Sequence, residues 1–163
     1  MSYEIFGGGK SWNKATAMGK NFLLKIKEGM LFNGTAKIEA TADIAYLFRH
    51  LRKANSENAF AVVYNDEGDY LTAWLGSGET SVDLDMLDIV KFIENSKQKL
   101  GSKVNVSLVH NHPSGKVRAS KNDKDTWRKM YEMYNSNPDV KVGAFVIINL
   151  DSGKYGVYND RLL

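Results

Sequence analysis

The chain has no cysteine among its 163 residues, and this absence excludes several kinds of site. It rules out disulfides, thiol nucleophiles, iron–sulfur clusters and zinc sites built on thiolates. Any bound metal ion must therefore use histidine, aspartate or glutamate. Histidine is scarce too, because only His50, His110 and His112 are present. A histidine-based metal site can thus be assembled in very few ways.

Long apolar runs are missing as well. No stretch approaches the ~18 uncharged apolar residues that a membrane-spanning helix requires. The N-terminal sequence MSYEIFGGGK also lacks the basic start and the apolar run of a secretory signal. We therefore expect no membrane partner and a location in the cytoplasm. The chain has only two prolines, no internal repeat and no linker rich in serine or proline, which favours a single domain.

Apolar residues make up 43% of the chain, and their spacing predicts alternating helices and strands. Helices are expected over about 41–55, 84–99 and 120–135, with Thr41 and Ser120 as N-caps. Strands are expected over 59–64, 70–75, 104–112, 142–148 and 155–158. The first two strands form a hairpin through the turn residues 65–68. Hairpins together with helical crossovers predict an α/β/α sandwich around a mixed central sheet.

The segment HNHPSGKVRASKND carries the strongest functional signal. Because side chains alternate along a strand, His110 and His112 leave the end of their predicted strand on the same face. Seven residues then lead to Ser120, and Asp123 follows in the first turn of the next helix. Two imidazoles and a carboxylate leave one coordination position open, which is what catalytic zinc needs. This segment therefore predicts a zinc site with room for a water molecule.

The spacing H-x-H-x7-S-x2-D is that of the JAMM motif, and HNHPSG in particular resembles the RadC-like branch of the JAB/MPN metallopeptidase-like domains. In that family a glutamate opens a strand well before the histidines, and Glu57, in SENAFAVVYNDEG, stands at the matching place. Residues 76–78 match a small-residue turn of the same pattern. The resemblance implies the cytidine-deaminase-like form of the sandwich. It assigns 35–163 to the domain and leaves 1–34 as an N-terminal segment of uncertain structure.

The resemblance also implies a role for each residue of the motif. His110, His112 and Asp123 would be the ligands of a Zn²⁺ cofactor. Glu57 would be the acid and base for the attacking water, and Ser120 would help to hold the oxyanion. The implied activity is hydrolysis of a peptide or isopeptide bond in a protein or peptide substrate, including a bond to a ubiquitin-like tag.

Each of these residues also has a purely structural interpretation. Ser120 and Asp123 form the pattern of a helix-capping pair, which needs no metal. A glutamate such as Glu57 before an apolar strand is commonly a solvated strand end. A His-x-His pair by itself is more often a surface or packing feature than a metal site. The capping and the ligand interpretations of Asp123 are compatible, because a carboxylate held at a helix start is also a preorganised ligand.

Two features depart from the RadC-like pattern. Residues 142–145 (VGAF) stand where the family has an Asp-His pair after the last long helix, so any role of that pair is missing here. Full-length relatives also carry an N-terminal region that resembles a helix-hairpin-helix unit, whereas residues 1–34 are short and rich in glycine and lysine. Within them, GGGKS does not match a phosphate-binding loop, because Glu4 stands where glycine is required. We expect a free-standing catalytic-type domain.

The chain has a net charge of +3, and its positive charge is concentrated in one segment. Residues 116–129 carry +4, so that the rest of the chain carries −1. The basic residues of this window are Lys116, Arg118, Lys121, Lys124, Arg128 and Lys129. Together with the lysines at 10, 14, 20, 25 and 27, they support an alternative function, binding of nucleic acid, in keeping with the association of RadC-like proteins with DNA repair. A catalytically silent scaffold is a third alternative. His50 is assigned no function.

Overall fold

The computed structural model describes residues 2–7, 32–33, 37–49, 51, 56–78, 82, 84–112, 119–149 and 154–159. These residues form seven strands and three helices. In chain order they are β1 (Ser2–Gly7), β2 (Phe32–Asn33), α1 (Thr41–Leu47), β3 (Glu57–Tyr64), β4 (Tyr70–Gly78), α2 (Met86–Leu100), β5 (Val104–His112), α3 (Lys121–Tyr134), β6 (Val140–Asn149) and β7 (Lys154–Asn159). None of the helices in this part of the chain is long and apolar enough to cross a membrane.

The strands form one mixed sheet in the order β1-β7-β6-β5-β3-β4-β2. β5 and β6 are parallel, with α3 as the crossover between them, and every other neighbouring pair is antiparallel. The five central strands, β7, β6, β5, β3 and β4, form a mixed sheet against which the helices pack. The predicted α/β architecture with a mixed sheet is therefore confirmed.

Both faces of the central strands are covered by helices. On β3, Phe60 and Val62 belong to a core that includes Ile44 of α1. The alternate residues Ala61 and Val63 face a second core, which is built with α2 and α3. A strand covered on both faces has no polar face, which explains why β3 is an almost continuous apolar run.

The helix predicted over 41–55 is shorter in the structure, and its predicted cap is wrong. α1 ends at Leu47, and Thr41 is its first helical residue, with Ala40 as the N-cap residue. The Asp43 carboxylate accepts hydrogen bonds from the backbone N–H groups of Glu39 and Ala40, and it therefore caps the helix instead. After α1, the Leu51 N–H donates a hydrogen bond to the Phe48 carbonyl three residues earlier, which is the spacing of a 3₁₀ turn. Phe48 and Leu51 are both fully buried in the core.

The other helices and the hairpin are confirmed. β3 and β4 are antiparallel and meet across the turn at Tyr64 and Tyr70. α2 begins after Asp85, whose carboxylate accepts the Leu87 N–H. α3 begins after Ser120, as its capping pattern predicts.

Part of the N-terminal segment joins the sheet. β1 pairs with β7 along its whole length, and β2 pairs with two residues of β4. Several sequence features lie outside the described residues. They are His50, Lys116, Arg118, residues 8–11 of the GGGKS segment, and the lysines at 10, 14, 20, 25 and 27.

Residues 142–145 form an irregularity in the β5–β6 pair. Val106 pairs with Val142 and Leu108 pairs with Phe145, so that Gly143 and an alanine lie opposite Ser107 alone. A Cβ at Gly143 would lie 2.7 Å from Ser107 Oγ and 3.1 Å from the Tyr64 hydroxyl oxygen, so any other residue here would force these side chains to shift. The shift brings the Phe145 ring to 4.7 Å from the ring of His110, and so this segment supports the candidate site by packing.

Candidate metal centre

Three elements bring the predicted site residues together at one end of the sheet. β3 begins with Glu57, and β5 ends with His110 and His112. Because these strands are antiparallel, with Ala59 paired to His110, the beginning of one lies beside the end of the other. The first turn of α3 returns to the same place and carries Asp123. Residues 53 positions apart in sequence therefore become neighbours.

The four side chains form a compact cluster, and one ligand atom from each lies within 4.8 Å of the others. The two imidazole Nε2 atoms are 2.8 Å apart. Asp123 Oδ1 is 3.0 Å from His110 Nε2, and Asp123 Oδ2 is 3.1 Å from His112 Nε2. Glu57 Oε1 is farther away, at 3.5 Å and 3.6 Å from the same two nitrogens. Glu57, His110 and Asp123 are buried, and His112 is partly exposed.

Ser120 and Asp123 cap α3 and orient the carboxylate at the same time. Ser120 Oγ accepts the Asp123 N–H at 3.1 Å, and Asp123 Oδ2 accepts the Ser120 N–H at 2.8 Å. The same carboxylate reaches both imidazoles, so the capping role leaves Asp123 free to serve as a ligand as well. The structure places Ser120 at the edge of the cluster, as an exposed residue with this capping role.

Burial and charge shift the pKa values of the cluster in different directions. Burial raises the pKa of Glu57 to about 7, and the Asp123 charge adds to this rise while His112 opposes it. Burial also acts to raise the pKa of Asp123, but hydrogen bonds from His110 and His112 outweigh it and hold that pKa well below its usual range. Burial lowers the pKa of His110, which keeps the imidazole neutral at pH 7, as a metal ligand must be.

The cluster fits a single divalent ion. Two ligands of one zinc ion, each about 2.0–2.2 Å from it, are at most about 4.4 Å apart. The His110, His112 and Asp123 atoms are separated by 2.8–3.1 Å. Two carboxylates buried side by side are also costly unless a cation offsets their charge. Within the described residues, moreover, the buried Glu57 Oε2 has no hydrogen-bond partner. Imidazole and carboxylate donors suit zinc and related transition metals.

The sequence did not point to Asn111, although this residue lies between the two histidines. Asn111 is fully buried, and its side-chain amide bonds to the backbone on either side of Glu57. Alternation along the strand assigns Asn111 to the side away from the imidazoles, which left it without a predicted role. The only available signal was an amide side chain between the two histidines at the end of a predicted strand.

Comparison with known proteins agrees with this arrangement. A family model described as RadC-like JAB domain matches residues 38–157, which include all four residues of the cluster. No curated protein matches the chain.

Proposed function

The chain belongs to the RadC-like JAB domain family, and from this premise we propose that it is a zinc-dependent hydrolase of a peptide or isopeptide bond. The observation that carries the proposal is the buried convergence of Glu57, His110, His112 and Asp123 on one point. The substrate class, including ubiquitin-like conjugates, and the cytoplasmic location expected from the sequence are parts of the proposal.

His110, His112 and Asp123 are the proposed ligands, because their atoms are the closest set. A zinc ion bound there supplies a Lewis acid that polarises a carbonyl and lowers the pKa of water to about 7. Glu57 Oε1 lies 3.5–3.6 Å from the two imidazole Nε2 atoms, whereas the Asp123 oxygens lie 3.0–3.1 Å from them. In our proposal its carboxylate takes a proton from the attacking water and returns it to the departing amine.

Ser120 is proposed to stabilise the substrate oxygen. Its hydroxyl oxygen accepts the Asp123 N–H, and its own hydrogen can then be donated to the carbonyl oxygen as negative charge develops there. Ser120 is exposed, and His112 is the more exposed of the two histidines. This side of the cluster is therefore the proposed approach for the substrate.

The proposal is tested by metal-dependent hydrolysis. We expect the zinc-loaded protein to release amine from some member of a panel of peptides and ubiquitin-like isopeptide conjugates. A chelator should reduce the rate by at least about a hundredfold, and added Zn²⁺ should restore it, because the attacking water then regains its activation. Added Mg²⁺ is the control and should restore nothing. Hydrolysis that survives complete removal of metal would contradict the mechanism.

A second candidate function is nucleic-acid binding, and the basic face of α3 favours it. Lys121, Lys124 and Arg128 are spaced three and four residues apart, so they share one side of the helix. Lys121 and Arg128 are exposed, whereas Lys124 is half-buried with its Nζ 5.9 Å from the centre of the Tyr158 ring. Because α3 begins at the cluster, this basic face borders the candidate metal centre.

If this face binds nucleic acid, affinity for a DNA duplex should fall steeply with salt and should not change with a chelator. Replacing Lys121 and Arg128 by Gln removes two phosphate contacts, which lowers the slope of log affinity against log salt by about 2. The control replaces Lys91 and Lys99, two exposed lysines of α2, in the same way. The measurement is a fluorescence anisotropy titration at several salt concentrations. A wild-type chain without salt-sensitive binding excludes this function.

A further inference from the structure

The side chain of Asn111 spans the backbone on both sides of Glu57. Its Oδ1 accepts the Asn58 N–H at 2.8 Å, and its Nδ2 donates to the Ser56 carbonyl at 3.0 Å. Both atoms of the amide are therefore used, and both partners are adjacent to Glu57 in the chain. Asn111 and Asn58 are fully buried, so water cannot replace these bonds without a rearrangement of the sheet.

These bonds extend the β3–β5 ladder beyond its last backbone pair. The register of the two strands ends with Ala59 opposite His110. One position farther on, the amide of Asn111 takes the place of a peptide group, since it offers one donor and one acceptor to the neighbouring strand. The first residue of β3, Glu57, is thereby held at the level of the two histidines that flank Asn111.

We propose that Asn111 is a positioning residue, which holds the Glu57 carboxylate against the metal-binding imidazoles through the backbone of residues 56 and 58. The proposal rests on the proposed function and assigns a role within the same site. It connects the backbone of the proposed base to the ligand pair, because Asn111 is bonded in sequence to both histidines and through its side chain to both chain neighbours of Glu57.

Replacement of Asn111 by Ala affects its two partners unequally. The Ser56 carbonyl keeps a second donor, the Asn58 side-chain amide at 3.1 Å. The Asn58 N–H loses the acceptor that holds it and becomes a buried unpaired donor. The start of β3 should therefore loosen at the residue after Glu57.

Asn105 provides a matched control at the opposite end of the same strand pair. Its Nδ2 donates to the Tyr64 carbonyl at 3.3 Å, so it also connects β5 to the β3 backbone through a side-chain amide. Asn105 is remote from the cluster, and Asn105→Ala makes the same chemical change. A general weakening of the sheet would affect both variants, whereas loss of Glu57 positioning would affect only one.

The test is a double-mutant cycle on zinc affinity, measured by competition with a chromogenic chelator. The carboxylate of Glu57 is close enough to attract a bound cation, so its displacement should weaken zinc binding. We expect Asn111→Ala to lower zinc affinity by about tenfold, the usual size of an effect transmitted to a ligand set from outside it. In the Glu57→Gln background the same change should have little effect, and Asn105→Ala should leave zinc affinity unchanged.

Equal losses from Asn111→Ala in both backgrounds, or equal losses from Asn111→Ala and Asn105→Ala, would overturn the inference. If Asn111→Ala does not fold, hydrogen exchange in the unmodified chain decides. An Asn58 amide as protected as that of Ala61 supports the proposed bond, and one that exchanges as fast as the exposed turn residue Asp66 refutes it. An unmodified chain that binds no zinc defeats the proposed function itself, which is a different outcome.

Discussion

The purified protein is expected to bind one zinc ion per chain, and the His112→Ala variant to bind it at least about a hundredfold more weakly. Apparent zinc-binding free energies of about 10–16 kcal/mol shared over three or four ligands correspond to about 2.5–5 kcal/mol for each, or roughly a hundredfold or more in affinity. His112 is the better ligand to remove, because its side chain is 13% exposed and that of His110 only 3%. Truncation of His112 therefore disturbs the core less.

The measurement is metal analysis after dialysis, followed by competition with a chelator. His50→Ala is the control, since it removes the one histidine outside the motif and should leave zinc binding unchanged. Circular dichroism establishes that each variant is folded. A wild-type protein that stays free of metal at micromolar zinc would rule the site out, as would a His112→Ala variant with undiminished affinity.

The proposed ligand set could be predicted from sequence because short-range rules bring its members together. Alternation along a strand puts His110 and His112 on one face, and a capping pattern puts Asp123 in the first turn of α3. Both rules act within 14 residues of the chain, so no knowledge of the tertiary structure is needed. The structure confirms both placements and adds the distances between them.

The position of Glu57 in the site could not be predicted from short-range rules. Its approach to the histidines depends on the antiparallel pairing of β3 with β5, two strands with a hairpin partner and a helix between them in the chain. Nothing within SENAFAVVY itself specifies that pairing, and only the resemblance to the family indicated Glu57. Asn111 was missed for the same reason, because its partners Ser56 and Asn58 belong to the other strand.

The local errors concern features that the spacing of apolar residues does not specify. The α-helix that begins at Thr41 ends at Leu47, and the Leu51 N–H then bonds to the Phe48 carbonyl in a tighter turn, which apolar spacing does not distinguish from a continued α-helix. The irregular pairing at Gly143 lies beside Ser107 and Tyr64, whose side chains leave little space for a Cβ, and no pattern within residues 142–145 reveals these neighbours.

Glu57→Gln is expected to separate zinc binding from catalysis. Glutamine has nearly the same shape, so the packing of this buried residue is kept, but it cannot take up and return a proton. Hydrolysis should therefore fall by about 10²–10⁴-fold, while the protein still contains one zinc ion per chain at saturating zinc. Glu67→Gln, at an exposed residue of the β3–β4 turn, is the matched control and should retain full activity.

The distances argue for this separation. Asp123 approaches both imidazole nitrogens to 3.0–3.1 Å, whereas Glu57 stays at 3.5–3.6 Å. Asp123, the closer carboxylate, is the better candidate ligand. Glu57, which stands slightly farther from the imidazole nitrogens, is better placed to accept a proton from a water molecule bound beside them. If Glu57→Gln instead lost its zinc along with its activity, Glu57 would be a fourth ligand. The site would then resemble closed, structural zinc sites, in which no position is left for water.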